Sequence, residues 1–186
     1  MFKILPKASK LITVTSVIVL SLIPTTSSYG NNQNNLNSIF FVSKSDNGNQ
    51  VHYGVQVNPD CSFRTTRPVY PYWKLENGRL EGLLRVEIPA FGIARQSISG
   101  NQVVMEINGF RRRGLSKPIT IQSSRQGSQN CQILAFANIK GENIQLTRVH
   151  LDLTKHSFLS GTLHSITFYG TGNKQEKMIC QSNCRF

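Results

Sequence analysis

The sequence predicts a mainly β protein, a single-domain antiparallel sandwich or small barrel with one short helix. Three observations carry that expectation. Apolar residues alternate with polar ones along several short runs, the spacing of a half-buried strand. The Asn-Gly pairs Asn77-Gly78 and Asn108-Gly109 mark hairpin turns, because both central positions of a type I′ turn need positive φ. Runs of this length, repeated at short intervals, describe two packed sheets or a closed one.

The chain opens on an address. Lys3, Lys7 and Lys10 stand without any acid before the uncharged, mostly apolar run Leu11–Pro24, and Ser28-Tyr29-Gly30 supplies small residues ahead of a cut. This is the layout of a secretory signal peptide over residues 1–30, and the apolar run is too short for the roughly 20 residues of a spanning helix. Residues 31–38, rich in Asn, have nothing to bury and are expected to be a disordered lead-in. Residues 39–186 then form one β-rich domain with a cysteine-bearing C-terminal tail.

Within it, Val51, Tyr53, Val55 and Val57 share one strand face, with His52, Gly54 and Gln56 on the other. Val103, Met105 and Ile107 repeat the pattern, as do Cys131 to Ile139, Val149 to Leu153, and the set His164, Ile166 and Phe168. One segment departs from it. Leu80, Leu83, Leu84, Ile88 and Phe91 fall at helical spacing, so a short helix is expected over residues 79–88, stopped by Pro89.

Composition narrows the function classes. Lys and Arg number 21 against 9 acids, a formal charge of +12, of which three units leave with the leader. For an exported protein that excess points to anionic wall polymers, lipid headgroups or partner proteins rather than to nucleic acid. No helix-length apolar run remains in the mature chain, so no transmembrane span is expected there. Cys61, Cys131, Cys180 and Cys184 are even in number and favour two disulfides in an oxidising compartment. A staple from the tail to the body is preferred, because a long closed loop removes more unfolded-state entropy. Zinc is disfavoured, since no pair has C-x-x-C spacing.

Ile39-Phe40-Phe41-Val42-Ser43-Lys44-Ser45, Asn47-Gly48-Asn49-Gln50-Val51-His52-Tyr53, Pro71-Tyr72-Trp73, Glu87-Ile88-Pro89-Ala90-Phe91-Gly92 and Phe168-Tyr169-Gly170-Thr171 follow one another in a telling order. Together they resemble a family of exported bacterial domains of unknown function, over about residues 39–172. The resemblance implies a mostly β domain and transfers no catalytic or binding residue.

Chemistry is sparse. The mature chain has no G-x-S-x-G elbow, P-loop or dinucleotide fingerprint, and no cofactor is expected. Ser45-Asp46-Asn47 reads as the start of a turn rather than as an S-D-N element. Arg148, His150 and Asp152 share a strand face, and a carboxylate beside an imidazole is the arrangement of an acid–base pair. A solvated strand face gives the same pattern. Arg111, Arg112 and Arg113, followed by Lys117, form the densest cationic cluster and suit bidentate capture of phosphate or carboxylate at a hairpin tip. Tyr72 and Trp73, beside Tyr70 and two prolines, offer a stacking surface or simply core. The expected function is a non-catalytic envelope binding domain contacting an anionic partner. A small-ligand carrier with an apolar barrel interior is the alternative, and a hydrolase using His150 and Asp152 a weaker one.

Overall fold

Alternating sequence builds strands, and strands account for most of the computed structural model. It describes residues 38–127, 130–157, 160–181 and 184–185, with side-chain positions described except at 156, 157 and 160. The expected signal peptide and nearly all of the expected lead-in lie outside the described residues. Ser38 is the exception, already the first residue of a strand.

The order is β1 (Ser38–Lys44), β2 (Gln50–Val55), β3 (Val69–Lys74), β4 (Leu80–Gly82), α1 (Ile88–Phe91), β5 (Ile93–Ser99), β6 (Gln102–Ile107), α2 (Asn108–Arg112), β7 (Ile119–Gln126), β8 (Asn130–Ile139), β9 (Glu142–Ser157), β10 (Ser160–Gly170) and β11 (Gln175–Ile179). All strands join one sheet, in the order β4-β3-β2-β1-β9-β8-β7-β6-β5, with β10 and β11 attached through β9. Every pairing is antiparallel except one: β1 runs parallel to β9, Val42 opposite Val149. The sheet is therefore mixed rather than antiparallel throughout, and it is not closed into a barrel.

Strand β9 is the pivot. Its residues 142–145 pair with β8, residues 148–151 with β1, and residues from 146 onward with β10. The arm β4-β3-β2-β1 and the arm β5-β6-β7-β8 contribute to one sandwich-like core, with Val42, Val51 and Tyr53 from the first and Val103, Met105 and Ile121 from the second. Two links tie the arms directly. Cys61, after β2, is bonded to Cys131 on β8. The side-chain amide of Gln96 on β5 donates to the Val69 carbonyl at 2.9 Å and accepts from the Val69 N–H at 3.2 Å.

Alternation located the buried face of β2, β6 and β9 correctly, since Val51, Tyr53, Val103, Met105, Val149 and Leu151 are all enclosed. Strand β10 differs. Its register shifts between Leu163 and Ser165, which puts Leu163 in the core and His164 outside. A bulge of this kind reverses the faces that simple alternation assigns.

The expected helix over residues 79–88 is not there. Leu80–Gly82 extends as β4 against β3, a turn follows in which the Glu87 N–H donates to the Leu84 carbonyl at 2.9 Å, and α1 begins only at Ile88. Pro89 sits in the first turn of α1, where its missing N–H costs no bond, so it opens the helix it was expected to stop. Asn77-Gly78 does lie in the β3–β4 hairpin, with Gly78 at φ 81°. Asn108-Gly109 is no hairpin: it begins α2, the second short helix where one was expected. Gly109 is required there by proximity, because a Cβ on it would lie 2.3 Å from the Ala90 carbonyl oxygen of α1.

Candidate functional site

Where α1 and α2 meet the first arm of the sheet, a groove of about 530 Å³ opens beside Trp73. One carboxylate organises it. Glu87 Oε2 accepts the Trp73 indole N–H and the Leu84 backbone N–H, both at 2.8 Å. The buried hydroxyl of Tyr53 donates to the Phe91 carbonyl at 2.8 Å and fixes the other end of α1 to β2. Held at both ends, the segment turns Leu84, Val86 and Ile88 outward at 57%, 60% and 47% exposure, with exposed Arg85 between them. Leu84 and Val86 line the groove together with Pro89, Arg112, Lys44 and Lys155.

The cationic cluster is dispersed by its neighbours. Arg111 pairs with Glu106 at 3.3 Å. Arg113 donates to the Gly109 carbonyl at 2.7 Å and to the Arg185 carbonyl of the tail at 2.6 Å, and burial lowers its pKa, with Arg112 adding to the effect. Lys117 binds Glu176 on β11 at 2.9 Å. Arg111 and Arg112 are both exposed and Arg112 and Arg113 both line the groove, so Arg112 is the one that is exposed, faces the groove and pairs with no carboxylate among the described residues. The arginines thus end a short helix rather than crown a hairpin, and no three-guanidinium clamp is assembled. Lys44 sits 5.0 Å above the centroid of the Trp73 ring and 3.6 Å from Asp46. Burial lowers its pKa, with Asp46 opposing the shift.

Tyr72 and Trp73, adjacent on β3, point to opposite faces as a strand demands. Trp73 belongs to the core and floors the groove. Tyr72 stacks on His52, which stacks in turn on Phe41. The rings along this outer face cover one another, so Tyr72 and Trp73 form no common stacking surface. His52 is buried in that ladder, with Nδ1 2.7 Å from Ser38 Oγ and Nε2 3.0 Å from Gln50 Oε1. Burial lowers its pKa, and Lys74 adds to the shift.

A second depression, about 490 Å³, lies on the outer face of β9, β10 and β11 and includes His150 and Asp152. Residues two apart on a strand are about 7 Å apart at their backbones, and each of this pair turns to a different neighbour. His150 Nδ1 lies 2.9 Å from Ser43 Oγ, while Asp152 Oδ2 accepts from Ser165 at a long 3.5 Å. The His150 pKa is lowered, by burial first and Arg148 next, against an upward pull from Asp152. All four cysteines are spent in disulfides, Cys61–Cys131 and Cys180–Cys184, which leaves no thiolate for metal or nucleophilic work.

Sequence reasoning reached Arg112 and Trp73 but missed Leu84, Val86 and Glu87 as parts of the same groove. The signal was available in Leu83-Leu84-Arg85-Val86, an apolar run broken by a charge, but helical spacing assigned it to a buried stripe. The model of a family described as a domain of unknown function (DUF4833) matches residues 40–182, in line with the kinship implied by the short motifs. No curated protein and no solved structure matches the chain.

Proposed function

We propose, for a chain that belongs to the DUF4833 family of domains of unknown function, an exported and non-catalytic binding domain that docks on anionic lipid surfaces through the groove beside Trp73. The two disulfides accord with an oxidising, exported setting, and a periplasmic or extracellular location is part of the proposal. No helix among the described residues is long and apolar enough to cross a membrane.

One observation carries the reading: Leu84, Val86 and Ile88 stand exposed in a single short segment, alongside Arg85 and the unpaired Arg112. The groove sets Lys44, Arg112, Arg113 and Lys155 against Asp46, Glu81 and Glu87, and protruding apolar side chains beside this small cationic excess suit the boundary between acyl chains and acidic headgroups. A wall polymer would satisfy Arg112 and Arg85 but leave the apolar residues without a partner. A basic residue near an anionic bilayer contributes about 1 kcal/mol, so Arg112→Ala should weaken vesicle binding about fivefold.

Co-sedimentation of the mature protein with phosphatidylglycerol vesicles, against phosphatidylcholine vesicles, tests this. Binding is expected to the first only, to fall with added salt as screening grows, and to drop in Arg112→Ala and in Leu84→Gln. Equal binding to both vesicles, or none to either, would overturn it.

A further inference from the structure

We propose that the depression between β9, β10 and β11 is a separate ligand site, one that takes a sugar carrying a carboxylate. The register builds it. Lys177 on β11 stands opposite Thr167 on β10, Thr167 opposite His150 on β9, and His150 opposite Ser43 on β1. This is an unbroken polar row across four strands, on the face opposite the buried Val149, Leu151, Ile166 and Phe168. The next row carries Gln175, Tyr169 and Arg148, with the Arg148 guanidinium 4.2 Å from the centroid of the Tyr169 ring. Arg148 in that position covers one face of the tyrosine, which itself lines the cleft.

The walls decide the ligand class. None of the residues lining the cleft is aliphatic: hydroxyls of Ser165, Thr167 and Tyr169, the Gln175 amide, the His150 imidazole and the Asp152 carboxylate surround it, with Lys140 and Lys177 beside them. Donors and acceptors are interspersed, which matches the alternating hydroxyls and carbon faces of a sugar better than a wholly apolar guest. Ser165 and Thr167 form a floor only 1% and 9% exposed, so a ligand hydroxyl reaching them leaves bulk water. With Nδ1 of His150 held by Ser43 Oγ at 2.9 Å, Nε2 is the ring nitrogen left for a ligand.

Charge sets the remaining feature. Lys140 and Lys177 outnumber Asp152 in the lining, and neither forms a close ion pair among the described residues, although the Lys140 charge acts on Glu176 at longer range. Lys140 is delivered by the β8–β9 turn, where it and Gly141 take φ of 55° and 87°, the two positive values of a type I′ hairpin. The Lys140 N–H donates to Glu176 Oε2 at 2.6 Å and anchors that turn beside β11. Two cations in the lining of a hydroxyl-rich cleft fit a carboxylate attached to the sugar ring. The inference does not rest on the groove beside Trp73, which is lined by a different set of residues.

The test uses the isotopically labelled mature protein and glucuronic acid, followed by amide chemical shifts. Saturable shifts confined to β9, β10 and β11 are expected, with glucose and acetate each binding at least about tenfold more weakly, the worth of one charged hydrogen bond. Lys177→Gln and Lys140→Asn, the latter chosen to keep the left-handed turn residue, should each lower affinity by a similar factor. Thr167→Val should lower it too, and the exposed lysine variants decide the matter if that buried change disturbs the sheet. Arg67→Gln, an equal loss of charge on the β2–β3 loop, should change nothing. Vesicles bearing a glucuronosyl lipid separate a glycolipid headgroup, bound more tightly than the free acid, from a soluble glycan, bound equally. Glucuronate that gives no saturable shifts in the cleft, or affinities unmoved by both lysine variants, would overturn the proposal.

Discussion

Glu87 holds the Trp73 indole and the Leu84 amide with a single carboxylate oxygen, so its removal orphans a partly buried N–H and frees the segment that carries the exposed apolar residues. Hydrogen bonds to a charged acceptor contribute about 1.5–3 kcal/mol each, and Glu87→Gln should cost about 2 kcal/mol in urea denaturation. A variant as stable as the parent would mean that the carboxylate does not brace the groove. His52 supplies a pH signature. Its folded pKa is depressed, so the unfolded chain takes up the proton first as pH falls. Stability should therefore be fully present above the unfolded histidine value, about 6.5, and decline as pH drops through the lower folded value. His150 acts with the same sign. Urea midpoints at pH 7.5 and 5.5 measure the loss, and His52→Gln should shrink it. Midpoints equal at the two pH values would contradict it. At this scale the sequence exposed residue types but not their partners. The run Arg111-Arg112-Arg113 was plain to see, yet Glu106 and the Arg185 carbonyl, which occupy two of the three, come from β6 and the C-terminal tail.

Elements were legible where one rule governed them. Period-two patterning found β2, β6, β8 and β9 because each buries one face against a common core. Helical spacing failed for residues 79–91, where the leucines belong to a three-residue strand, a turn and a four-residue helix. Leu84 satisfies the spacing and is exposed; spacing alone does not say that a face is covered. Turn chemistry failed in a complementary way. Asn108-Gly109 has hairpin composition but serves close helix contact, while Lys140-Gly141, of unremarked composition, makes the true I′ turn. Gly109→Ala tests the contact, because the added carbon meets backbone rather than a mobile side chain. Overpacking of this sort costs about 1–3 kcal/mol, seen as a lowered urea midpoint; an unchanged midpoint would show that α1 and α2 can separate freely.

Among the described residues the fold is two arms of one sheet joined through β9 and fastened by Cys61–Cys131, whose sequence separation is 70. The sequence favoured a tail cysteine for the long staple, but Cys180 and Cys184 bond each other across a separation of 4. Knowing that the β2–β3 loop meets β8 needs the strand order, which alternation does not contain. In the chain-entropy view the long loop contributes about 4 kcal/mol and the short one about half that. Replacing Cys61 and Cys131 by Ser should thus destabilise roughly twice as much as replacing Cys180 and Cys184, read by denaturant midpoints; the reverse order would locate the main fastening in the tail.

The chain has a single tryptophan, and it floors the proposed docking groove. Its emission therefore reports that groove without interference. Titrating the mature protein with phosphatidylglycerol vesicles containing brominated acyl chains should quench Trp73 in a saturable, salt-sensitive manner, and Arg112→Ala should shift the midpoint about fivefold. Phosphatidylcholine vesicles with the same bromines should leave the emission unchanged. Quenching that is absent with the anionic lipid, or equal with both, would contradict docking through the Trp73 groove.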